Sequence, residues 1–113
     1  MEETPAFKGF DADLRCRGHQ YEVGRTETTD ETPAACERGF HSCVNPADVL
    51  EFYPPIGPDG RPNRYALVSP GGQTDTDETK TASQALTVVK EITLTELIRL
   101  ATTGHEARSA TTG

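Results

Sequence analysis

Large apolar side chains fall in short bursts along this chain, separated by polar stretches rich in Gly, Pro and Thr. In Ala6-Phe7-Lys8-Gly9-Phe10, alternation sets Lys8 and Phe10 on one side and Phe7 on the other, which predicts a strand. Asp11 and Asp13 supply turn chemistry. Gly18 and Gly24 then bracket a run around Gln20-Tyr21-Glu22-Val23 that reads as a second strand. From Thr26 to Thr32 nothing large and apolar is available to bury, so a solvated loop is expected.

Thr32-Pro33 has the form of a helix start and Gly39 of a left-handed stop, predicting a short helix from Pro33 to Arg38. A second helix is expected where Asn45 caps, Pro46 takes the first position, and Val49, Leu50 and Tyr53 continue the apolar spacing until Pro54-Pro55. Pro54 to Asn63 reads as an exposed hairpin-like loop. Arg64 to Ser69 suits an interior strand, with Pro70-Gly71-Gly72 as its stop and the acidic run Thr74 to Thr79 as a second loop. Lys80 to Ile92 is rich in β-branched residues. Ala82, Leu86, Val88 and Ile92 share one parity there, predicting a long strand or two broken near Gln84. Thr93 and Glu96 have capping-box spacing ahead of an apolar stripe of Leu94, Leu97, Ile98 and Ala101, closed by Gly104. The elements add up to an α+β fold: a mostly antiparallel sheet with two or three short helices and a C-terminal amphipathic helix. One domain over 1–104 and a flexible tail over 105–113 are expected.

Composition sharpens this picture. The 113 residues fit one domain, and 34% hydrophobic residues allow only a small core, which the aromatic rings must help to fill. No stretch reaches the roughly 18 apolar residues of a membrane span, and Met1-Glu2-Glu3 is the reverse of a signal peptide's basic start. A cytoplasmic protein without membrane contact is the expectation. The formal charge of −7 disfavours direct nucleic-acid binding. An odd count of three Cys argues for thiols or metal over a disulfide framework.

Read in order, Phe7-Lys8-Gly9-Phe10, Cys16-Arg17-Gly18, Tyr21-Glu22-Val23-Gly24, Cys36, Gly39-Phe40-His41-Ser42-Cys43 and Asn45-Pro46 through Tyr53 resemble a family of small, largely uncharacterised bacteriophage and prophage proteins. The resemblance covers roughly 6–95 and is carried most strongly by the Gly-Phe-His-x-Cys-x-Asn-Pro segment; His19 departs from it, standing where the family pattern has an aromatic residue. It implies an origin, and a bacterial host cell as the location, without carrying a reaction. A more distant similarity is to mono-ADP-ribosyltransferases, with Arg17, His19, Ser42 and Glu91 in the order of that family's cationic, serine and glutamate motifs. It implies NAD as the substrate.

Three other constellations carry chemistry. Cys16, Cys36, His41 and Cys43 are soft ligands enough for zinc, although their spacing lacks the close pairs usual in structural sites. Buried, metal-free thiols are the expectation, with Cys43 packed against the helix from Pro46 to Tyr53 and no cofactor required. The acidic loops place Glu27, Asp30 and Glu31 in one segment and Asp75, Asp77 and Glu78 in another, six carboxylates able to imitate phosphates toward a basic channel. The function expected on this basis is partner binding: an acidic phage-derived protein engaging a host protein, such as an anti-CRISPR inhibitor of a nucleic-acid-binding defence complex.

Overall fold

The computed structural model describes residues 5–35 and 38–112, with side chains in the final helix described to Thr103. Seven strands and two helices follow in the order β1 (Ala6–Phe10), β2 (Arg15–Cys16), β3 (His19–Gln20), β4 (Thr26–Thr28), β5 (Phe40–Ser42), α1 (Pro46–Phe52), β6 (Arg64–Thr76), β7 (Thr81–Ile92) and α2 (Leu94–Thr112). Every strand pairing is antiparallel, so the expected α+β class stands. The main sheet runs β1-β6-β7-β4, and β5 also pairs β7. Just past β5, Cys43 exchanges both backbone hydrogen bonds with Phe7, at 2.7 and 2.8 Å. This ties β5 to the free edge of β1 and closes a ring of pairings through β6 and β7.

Both faces of the sheet are covered. Phe7, Tyr65 and Leu67 pack with Val49 of α1 and Leu97 of α2, whereas Ala6, Phe10, Ala66 and Val68 pack with Leu14, Cys16 and Tyr21 from the segment after β1. The alternation in β1 thus divides Phe7 from Phe10 as expected. The α1 start also matches its sequence: Asn45 Oδ1 accepts from the Ala47 N–H at 3.0 Å, with Pro46 first in the helix. Thr93 Oγ1 caps α2 through the Glu96 N–H at 3.0 Å.

Several expectations are corrected. Pro70-Gly71-Gly72 does not stop β6; Pro70 still pairs with Leu86, and an irregularity between Gly71 and Thr74 absorbs the misfit. Proline is tolerated because β1 pairs only with Arg64 to Val68, leaving the other edge of β6 open at Pro70. Thr74 to Thr76 then pair with Thr81 to Ser83, so the acidic loop shrinks to Asp77–Lys80. Thr26 to Thr28 form an edge strand on β7, with the Thr26 and Thr87 hydroxyls 2.7 Å apart. The run at Gln20 pairs one residue earlier than expected, at His19–Gln20, and Tyr21 turns into the core. In place of the Pro33 to Arg38 helix, Ala34 and Arg38 exchange two backbone hydrogen bonds, which requires extended chain at both ends. Val89 is a bulge residue: Leu67 faces Lys90 but Val68 faces Val88. Ile92 therefore changes sides and packs with Tyr65, away from Leu86 and Val88. Ile98, expected in the α2 stripe, is 47% exposed. Gly104 does not close α2, which runs on to Thr112; side chains beyond Thr103 lie outside the described residues.

Candidate ligand-binding cavity

The closed ring leaves a cavity of about 270 Å³ where β1, the β2–β3 turn, β5, α1 and the β6–β7 tip meet. Lys8 lies at its base. It shares the inward parity of Ala6 and Phe10, and only 4% of it is exposed. Its Nζ donates to the His41 carbonyl at 2.5 Å, sits near the rings of Tyr21 and Phe10, and is hydrogen-bonded with Cys16. Burial pushes its pKa below the ordinary lysine range; Cys16 and Cys43 oppose this and Arg17 adds to it.

Arg17 reaches the cavity from a tight turn in which both central residues, Arg17 (φ 53°) and Gly18 (φ 83°), are left-handed. Such two-residue turns strongly favour Asn or Gly at the first position, so an Arg there is strained. Lys80 approaches from the β6–β7 tip with its Nζ 4.1 Å from the centre of the Phe52 ring on α1. Asp77 shapes that tip by accepting the Thr79 and Lys80 N–H groups at 2.8 and 2.7 Å. Gly9 admits α1 to the wall: a Cβ there would lie 2.5 Å from Tyr53 Cβ.

Electrostatically the cavity is one-sided. Among the described residues no Asp or Glu lines it, and Lys8, Arg17 and Lys80 have no carboxylate partner. Elsewhere Arg25, Arg61, Arg64 and Arg99 all have one. Asp48 and Asp77 line the neighbouring cleft instead. His41 is held below the ordinary histidine range by burial and then by the charges of Lys8, Lys80 and Arg17. The Ser42 hydroxyl, in a residue only 2% exposed, lines the cavity without a hydrogen-bond partner. An unmet buried hydroxyl costs about 1–3 kcal/mol unless a ligand satisfies it.

Two of the soft ligands, Cys16 and Cys43, are buried here beside His41, and Cys43 packs against Val49 of α1 as expected. Cys16 Sγ accepts from the Tyr53 hydroxyl at 3.0 Å, and burial pushes Cys43 up to about 11, so Cys43 is a thiol at neutral pH. Cys36 lies outside the described residues, and among those described no three His, Cys, Asp or Glu gather as a metal site.

The four transferase positions separate. Arg17 and Ser42 line the cavity; His19 lies against Tyr21 and Phe40, its Nε2 2.9 Å from Glu27. Glu91 is ion-paired with Arg64 at 2.7 Å, ten positions along β7 from Thr81, the partner of Ser42. At about 3.3 Å per residue that is roughly 33 Å of strand.

Of the six acidic positions, several are engaged. Burial opposes ionisation of Glu27, but bonds from Arg25 and His19 outweigh it and lower its pKa. Asp75 accepts the Ala35 N–H at 2.8 Å and Asp77 caps its turn. Asp30, Glu31 and Glu78 are exposed. Sequence reasoning missed Lys8, Tyr53 and Lys80 as site residues. The available signal was Lys8: a charge on the core-facing parity of an otherwise apolar strand.

Fold and site together define a small α+β domain built around a cationic cavity. The chain belongs to the family described as Domain of unknown function (DUF7666), whose model matches residues 4–100. No curated protein and no solved structure matches it.

Proposed function

We propose that this chain is a binding protein whose working site is the cavity, and that it takes a small anionic ligand carrying a carboxylate or phosphate group. What carries the reading is the gathering of Lys8, Arg17 and Lys80 around one cavity, without a carboxylate partner among the described residues, in a protein of charge −7. A buried charge needs a counter-charge, and an incoming anion supplies one. A cavity just under the roughly 300–1,000 Å³ of drug-sized sites suits a ligand of metabolite size. Arg17 offers a planar fork for two oxygens. The transferase reading loses support because Glu91 is far along β7 and bonded to Arg64.

A second reading keeps the acidic surface. The segments after Thr28 and Gly71 flank β7 on opposite edges and run toward the same end, so Asp30, Glu31 and the Asp75 to Glu78 segment gather there. This favours engagement of a basic host protein by a phage-derived inhibitor, including one acting against a nucleic-acid-guided defence.

Thermal unfolding with a panel of small carboxylates and phosphate monoesters, at fixed ionic strength, tests the first reading. Ligands that bind the folded state raise Tm with concentration, and Arg17→Gln removes the rise. No concentration-dependent rise with any anion beyond that of chloride overturns it. Neutralising Asp30, Glu31 and Glu78 leaves that rise intact and, on the second reading, abolishes salt-sensitive capture of a nucleic-acid-binding complex.

A further inference from the structure

We propose that the cavity's ligand is an oxo acid, a small carboxylate bearing an aldehyde or ketone, and that the Lys8 amine condenses with its carbonyl to form an imine. This rests on the anion-binding reading and deepens it by assigning the inner end of the cavity. Lys8 is enclosed, and its partners are a backbone carbonyl, a thiol and two aromatic faces. None of them neutralises an ammonium as a carboxylate would. A lysine enclosed in this way and surrounded by other cations keeps a larger share of its amine neutral, the condition for nucleophilic attack. Arg17 and Lys80 supply that cationic surrounding.

The division of labour follows from position. Arg17 holds the carboxylate, the apolar wall of Val49 and Phe52 receives the remainder of the ligand, and the carbonyl carbon is presented to Lys8. The amine nitrogen forms a bond to the carbonyl carbon. Both amine protons leave with the carbonyl oxygen as one water, and the C=N bond remains. No oxidant or reductant is consumed. Exposed Phe52 and Arg17 border the cavity, so the water has an exit.

The chain has three lysines, Lys8, Lys80 and Lys90, and the exposed Lys90 is an internal reference. The full-length protein is incubated at neutral pH with glyoxylate, reduced with borohydride, digested, and mapped by mass spectrometry. Glycolate, which has the same charge and no carbonyl, is followed in parallel by thermal unfolding. The expected result is a carboxymethyl group on Lys8, formed about tenfold or more faster than on Lys90 because a larger fraction of the enclosed amine is neutral. Glycolate raises Tm and slows the labelling of Lys8 alone. Stabilisation by both acids with Lys8 labelled no faster than Lys90 overturns the imine and leaves anion binding standing. Stabilisation by neither, together with unlabelled Lys8, overturns both. The unsubstituted protein carries the test, so it does not depend on a Lys8 variant that fails to fold; where Lys8→Arg folds, it retains stabilisation by glycolate and yields no adduct at position 8.

Discussion

At the residue scale, the signature of the site is a set of side chains whose local cost has no structural return. Arg17 occupies a left-handed backbone position at the tip of a two-residue turn and forms no ion pair among the described residues. Asn is well suited to that backbone, so Arg17→Asn is expected to stabilise the fold by about 1 kcal/mol while removing anion binding. Chemical denaturation and ligand titration of the same variant check both halves. A destabilised variant contradicts the claim that Arg17 is kept for its side chain's reach into the cavity.

At the element scale, the starts of α1 and α2 and the hairpin-like Pro54 to Asn63 segment were legible because each depends on chemistry within a few residues: the Asn45 and Thr93 caps, and the turns around Gly57 and Gly60. The extent of β6 was not. Pro70-Gly71-Gly72 ends a strand on local grounds, yet long-range pairing with Leu86 and Ala85 carries the chain through it. The Val89 bulge was hidden for the same reason, and it alone moves Ile92 to the helix-covered face. The contact between β1 and α1 is the joint that shapes the cavity. Gly9→Ala drives a methyl into Tyr53 and is expected to cost roughly 1–3 kcal/mol, measurable as a lower denaturation midpoint. A variant as stable as the unsubstituted protein would show that α1 does not seat on Gly9.

At the scale of the whole molecule, the cavity exists because segments far apart in sequence are drawn into one ring, with Phe7 bonded to Cys43 and Ser42 paired to Thr81. Composition reported a net charge of −7 but not its distribution. Lys8, Arg17 and Lys80 converge on the cavity while acidic side chains hold Arg25, Arg61, Arg64 and Arg99, and only the pairing register reveals this. Cys16, His41 and Cys43 were visible as soft ligands and Arg17 and Ser42 as transferase-motif positions, but their common cavity depends on Lys8 and α1. The central claim is that this cavity binds a small anion. A backbone amide NMR titration with glycolate at constant ionic strength tests it most directly. The account predicts saturable shifts confined to Lys8, Arg17, His41 to Cys43 and Lys80, absent in Arg17→Gln. Shifts spread over the surface lysines and arginines, or none that saturate, would contradict it.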